Sequence, residues 1–219
     1  MLSTVFFPEL LTAFHQDHPE IAVVLEEYGS VRACDLVQND TLDLALVNME
    51  QYNIDKFHNV VLANDQVVFC VNKDHRLADK EIVTTKEMSK ELLIFFNADS
   101  VQNQLLKTRF EMDGYIPNIV MRSSQIYTTL QFIKTGKYSC FLYSSMLDKF
   151  TDSEITGIPL NPPIHIKIGM IWKIYQWRYA DVFELYKNVL QRTSIDLISP
   201  TTMNENIPQS CHTAKDSCM

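Results

Sequence analysis

Apolar residues recur along this chain at two different spacings. Over residues 3–17, Phe6, Leu10, Leu11 and Phe14 fall at helical intervals, Ser3 or Thr4 can cap the start, and Pro19 ends the run. Residues 21–25 are mostly β-branched and predict a strand. Gly29 and Ser30 make a turn and cap, residues 31–38 predict a helix, and residues 42–47 a buried strand. Alternation of helix and strand without hairpin turns predicts a parallel sheet with helical crossovers.

The middle of the chain continues the pattern. Residues 60–62 and 66–71 read as two strands parted by Ala63, Asn64 and Asp65. A short helix at 85–90 and a strand at 92–96 follow. Ser100 can cap a helix to about Met112, and residues 118–121 predict a strand. Ser123 or Ser124 can cap a helix carrying Ile126, Leu130 and Ile133, which Gly136 closes as a left-handed stop. A strand at 138–143 and a helix at 145–150 come next. From Ile164 to Trp172 apolar residues alternate with others, a long strand suited to passing from one lobe to another. A helix over 177–191 and a disordered tail over 201–219 complete the expectations.

Composition narrows the function. Apolar residues make up 46% and charged residues 21% of 219, which is globular and excludes wholesale disorder. The net charge of −8 gives no general attraction to nucleic acid or an anionic membrane. The five glycines are scattered, which excludes a GxGxxG turn, a P-loop and a GxSxG elbow. The five cysteines form no CxxC pair, and Cys70 and Cys140 sit in apolar runs as small hydrophobes. A reducing, cytoplasmic setting is expected: no basic region precedes the first apolar residues, and no apolar stretch reaches a membrane span. His15 and His18 are three apart on a helix but lack a third ligand nearby, so no metal and no cofactor are expected. Glu26 and Glu27 would face opposite ways in a strand, and Asp43 has no evident acid/base partner, so no enzyme is expected. Trp172, Tyr175, Trp177 and Tyr179 form an aromatic cluster suited to core packing or a subunit interface.

The ordered set of motifs carries a family resemblance. It runs from Phe7-Pro8-Glu9-Leu10-Leu11 through Phe14, Pro19, Ile21, Val23, Leu25 and Glu27 to Gly29-Ser30. Leu42-Asp43-Leu44-Ala45-Leu46-Val47 comes next, then residues 67–71 with His75-Arg76-Leu77-Ala78. Gly136, Cys140-Phe141-Leu142 and Ser144-Ser145-Met146 close the set. Over roughly residues 3–195 the chain resembles the effector-binding domain of the LysR-type transcriptional regulators.

The resemblance implies a two-lobed α/β fold like the type 2 periplasmic binding proteins, with mixed sheets, helices on both faces and two hinge-crossing strands at 66–72 and 164–173. Lobe I would be residues 1–65 plus 170–200, and lobe II residues 66–169. It implies a small-molecule effector in the cleft, a homodimer or homotetramer, and DNA contact only through a winged helix-turn-helix domain not present in this chain. The strand that precedes the first helix in the family is missing or reduced to a stub.

Family effector contacts carry over onto Ser3 and Thr4, Gly29 and Ser30, Asn97 and Ser100, and Ser124. Hydroxyls at helix starts suit a carboxylate or another small anion; the plain alternative for each serine is an N-cap. Arg122 follows a lobe II strand and could make a bidentate contact to an anion, or be a solvated arginine. Three other functions use the same scaffold: a stand-alone solute-binding protein, an enzyme with a buried acid/base pair, and a truncated partner of a full-length regulator.

Overall fold

The computed structural model describes residues 2–50, 53–97, 100–150 and 153–173. Its backbone is organised around one strand, β2 (His58–Asn72), which is 15 residues long. Its first part pairs antiparallel with β7 (His165–Trp172), from His58↔Trp172 to Gln66↔His165. From Val67 onward its partners are β5 (Tyr138–Tyr143) and β6 (Ile155–Pro159), both antiparallel. The changeover is continuous, because the Val67 N–H donates to the Ile164 carbonyl at 2.9 Å. β1 (Leu44–Asn48) lies on the far side of β7, and β3 (Leu92–Phe95) and β4 (Ile119–Arg122) extend the sheet beyond β5.

Two expected strands, 60–62 and 66–71, are therefore one. Ala63, Asn64 and Asp65 stay in the ladder, because Asp65 finds partners there. Its carboxylate accepts from Ser145 Oγ at 2.5 Å and from the Gln66 N–H at 2.7 Å. The sheet is mixed, not parallel throughout: among the named strands only β3 with β4 and β3 with β5 run parallel. Residues 21–25 form no ladder. Strand propensity needs a neighbour with free backbone groups, and among the described residues β1 pairs with β7 alone. β6 had no sequence signal; Thr156 and Gly157 interrupt its apolar pattern.

Both faces of the sheet are covered, and β2 shows why by its period of two. Val67, Phe69 and Val71 pack on one face with Leu93, Phe95 and Phe141, and with Leu106 and Phe110 of α4 (Val101–Met112). Val68 and Cys70 turn to the other face, against Leu130 and Ile133 of α5 (Ile126–Lys134). β7 does the same in its half. Met170 and Trp172 meet Leu10 and Phe14 of α1 (Leu2–Asp17), while Ile171 meets Ala33, Cys34 and Val37 of α2 (Ser30–Gln38). Two short helices complete the described chain, α3 (Thr85–Met88) and α6 (Ser144–Phe150).

Several helix starts differ from expectation. α1 begins at Leu2, so Ser3 and Thr4 lie inside its first turn and not ahead of it as caps. α5 is capped at Gln125; Ser123 stands outside, its Oγ accepting from the Gln125 N–H at 3.1 Å. Gly136 does stop α5, with φ +76°. The expected helix at 177–191, the tail at 201–219, and Tyr175, Trp177 and Tyr179 lie outside the described residues.

Gly169 sits where β7 is gripped by both neighbours, opposite Val47 and Val61. A Cβ there would meet the Val60 carbonyl oxygen at 2.6 Å and also the Met49 sulfur. The backbone oxygen cannot yield without moving β2. Gly169→Ala should lower the denaturation free energy by ~1–3 kcal/mol through overpacking. Urea unfolding followed by circular dichroism checks this; an unchanged midpoint would show that the strands are not gripped so tightly.

Cys34, Cys70 and Cys140 are buried at 0%, 0% and 1% exposure. Burial pushes the Cys34 thiol up to about 12, and burial beside Cys70 raises Cys140 as well. Such thiols are protonated and shielded, so they are poor nucleophiles. In a chain carrying Cys211→Ser and Cys218→Ser, Ellman's reagent at about pH 8 should label none of the three until denaturant is added. Fast labelling of the folded chain would contradict the burial.

Candidate functional site

Strand ends and helix starts meet in one cleft of about 1320 Å³. In open α/β sheets the carboxyl ends of the strands face such a crevice. Asn48, Phe95 and Tyr143 are the last residues of β1, β3 and β5. The chain leaving β3 lines the cleft with Phe96 and Asn97, and Tyr143 lines it directly.

Three helices begin at this cleft: α2 at Gly29, α4 at Ser100 and α5 at Gln125, and all three N-cap residues line it. None of these cap residues takes a backbone N–H of its own helix with its side chain; the Gln125 amide oxygen accepts the Thr128 hydroxyl at 3.2 Å instead. For Ser100 that removes the capping explanation, leaving its hydroxyl for other use. Gly29 has ordinary extended angles, φ −64° and ψ 149°, which any residue adopts, so no left-handed turn calls for a glycine here. First-turn N–H groups without caps, each helix start carrying about +0.5 of an elementary charge, favour an anion.

Five of the eight expected residues, Gly29, Ser30, Asn97, Ser100 and Ser124, come together in the lining. Ser30 Oγ accepts the Asn48 N–H at 3.0 Å, which fixes the start of α2 against the end of β1. Asn97 and Ser100 are presented by a loop tied down from within. The buried Asn103 amide donates to the Phe96 and Asn97 carbonyls at 2.6 and 2.7 Å, and its oxygen accepts the Phe96 N–H at 3.2 Å.

The other three do not join them in the description. Ser3 and Thr4 are placed only as the first turn of α1. Arg122 is exposed at the end of β4 and lies outside the lining. Strand alternation explains it, since Met121 turns inward and Arg122 outward. The basic residue that does line the cleft is Arg32, in the first turn of α2, its guanidinium 4.7 Å from the centre of the Tyr28 ring. Its position two residues after Ser30 was the available signal. Four carboxylates, Glu20, Glu26, Glu27 and Asp43, also border the cleft, and all four are exposed.

Tyr143 and Asn48 had no sequence signal. Tyr143 is 3% exposed, and burial, with the nearby Asp65 charge a smaller contributor, pushes its phenol up to about 12. Its oxygen accepts from the Asn48 side-chain amide at 3.1 Å. Because Asn48 ends β1 and Tyr143 ends β5, that bond joins the β7 half of the sheet to the β5 half behind the cleft.

Comparison with known proteins agrees with this architecture. The regulatory domain of CcmR from Synechocystis PCC6803, solved in complex with 2-PG, superposes with a TM-score of 0.76 at 19% identity, covering 88% of this chain and 93% of that one. The reduced OxyR regulatory domain from Pseudomonas aeruginosa gives 0.69 at 15% identity, covering 85% and 91%. The fold is therefore the two-lobed, type 2 periplasmic-binding-protein-like one, with a mixed sheet and helices on both faces. Among curated relatives, the HTH-type transcriptional regulator YwbI of Bacillus subtilis is 26% identical over 174 residues, covering 79% of this chain and 58% of its own length. The probable RuBisCO transcriptional regulator of Trieres chinensis is 26% identical over 212 residues, covering 88% and 66%. The chain thus spans less than two thirds of the length of these regulators. Residues 1–178 match the family model for the LysR substrate binding domain, and the chain belongs to that family.

Proposed function

We propose that this chain is the effector-sensing part of a LysR-type transcriptional regulator, and that its effector is a small oxyanion held between the lobes. The convergence of three uncapped helix starts on one cleft carries the proposal. Ser30, Ser100 and Ser124, with Asn97, supply neutral donors and acceptors; Gly29 lets the ligand approach the backbone of α2; Arg32 adds charge. Ser3 and Thr4 belong to the same proposal as contacts from the start of α1. A ligand-bound relative of the same fold, CcmR with 2-PG, supports a cleft that takes small molecules.

Lobe I would comprise residues 1–65 plus 170–200, and lobe II residues 66–169, hinged where β2 changes partners. Ligand binding changes the balance between open and closed lobes only by its differential affinity for the two forms. A DNA-binding domain outside this chain, within a homodimer or homotetramer in the cytoplasm, would transmit that change. No catalysis is proposed. Among the described residues no helix is long and apolar enough to cross a membrane. The names of the relatives are those of regulators, which favours sensing over a solute carrier or an enzyme.

A thermal-shift screen tests this with malonate and other small carboxylates, inorganic phosphate and phosphorylated acids, against matched neutral amides. A ligand at a hundredfold excess over Kd stabilises the folded state by about 2.7 kcal/mol. For a chain of this size, that should raise Tm by roughly 5–10 °C. Saturable shifts should be confined to anions, and Ser100→Ala should weaken them. A cooperative melt that no anion moves would sink the proposal.

A further inference from the structure

Asn48 is 1% exposed, and every polar group on it that the hydrogen bonds reach has a defined role. Its Oδ1 accepts the Glu50 N–H at 3.0 Å. That contact settles which way the amide is turned, so Nδ2 is the atom facing Tyr143 at 3.1 Å. Its backbone N–H donates to Ser30 Oγ at 3.0 Å. Asn48 thus acts only as a donor toward two hydroxyls, and both hydroxyls line the cleft.

A hydroxyl that accepts one hydrogen bond still has its own hydrogen to give. Among the described residues no acceptor is hydrogen-bonded to the Tyr143 O–H or to the Ser30 O–H. Tyr143 is 3% exposed yet lines the cleft, so its O–H is available to a molecule held there. The two hydroxyls come from opposite parts of the sheet, Ser30 from the start of α2 beside β1 and Tyr143 from the end of β5.

We propose that the Tyr143 hydroxyl, oriented by Asn48, is a ligand-contacting donor that works with Ser30 Oγ to grip one oxyanion group of the effector from both lobes. Asn48 is the positioning residue. Each hydroxyl already accepts one bond from Asn48, so its hydrogen is what it has left to offer an oxyanion oxygen. Because burial holds the phenol protonated up to about 12, Tyr143 remains a neutral donor across the physiological range. A carboxylate and a phosphate share the required chemistry. The inference rests on the cleft being the effector site, and it adds a residue that would read the ligand's charge.

The test measures binding of malonate and, separately, inorganic phosphate by calorimetry to the whole chain. Wild type is compared with Tyr143→Phe, Asn48→Ala and the double variant. Tyr143→Phe should weaken the bound anion about tenfold or more, the loss expected for a hydrogen bond to a charged group. Preference for malonate over malonamide should fall with it, which a general loss of stability would not cause. The double variant should bind within about twofold of Tyr143→Phe, because Asn48 acts through the phenol. The stronger of the two anions in wild type identifies carboxylate or phosphate as the source. If the variants fold poorly, the ultraviolet difference spectrum of wild type serves instead: anion binding should shift the tyrosine band as the phenol becomes a donor. An unchanged Kd in folded Tyr143→Phe, or no tyrosine difference signal on saturation of wild type, overturns the role of Tyr143 alone. Failure of wild type to bind either anion overturns the cleft as an oxyanion site and the role of Tyr143 with it.

Discussion

The shared strand β2 is the constraint on which the rest of the structure depends. At Gln66 its partner is β7, and at Val67 it is β5. A strand that belongs to two sheets cannot slip in one without slipping in the other. A one-residue shift would exchange Val67, Phe69 and Val71 with Val68 and Cys70 between two buried faces. Both faces are apolar, so polarity would not forbid that exchange, but size does: phenylalanine at position 69 and cysteine at 70 meet differently shaped neighbours. Packing density, more than hydrophobicity, therefore sets the register.

The same strand joins the two halves at its changeover point. Two polar links reach across near that point. Asp65 of β2 holds Ser145 at the start of α6, and Asn48 of β1 holds Tyr143 of β5. A buried hydrogen bond has a narrow range of workable distances and angles. Each bond therefore ties the two halves together beside the changeover. Tyr143 lies both in a link and in the cleft lining.

Much of this was readable from residue order. The alternation of helix and strand, Gly136 as a left-handed stop and Ser100 ahead of α4 each rest on local chemistry, and local chemistry is what sequence displays. The misses have a common cause. Asn64 and Asp65 look like turn residues until Ser145 supplies a partner eighty positions away. Residues 21–25 look like a strand, but a ladder depends on what lies alongside. Arg122 looked suited to an anion, and strand alternation turned it outward. Asn48 and Tyr143 show nothing in sequence, because their meaning is a contact between strands 95 residues apart.

The net charge of −8 disfavours anions at long range, and four carboxylates border the cleft. Distance and exposure decide which field a ligand meets. Glu20, Glu26, Glu27 and Asp43 are exposed, so water and salt screen them within ~8–10 Å. The helix starts present their N–H groups at contact distance from the cleft lining, in a less polar surrounding where the same charge acts more strongly. The exposed carboxylates therefore set the charge felt at the rim, and the helix starts the charge felt at the lining.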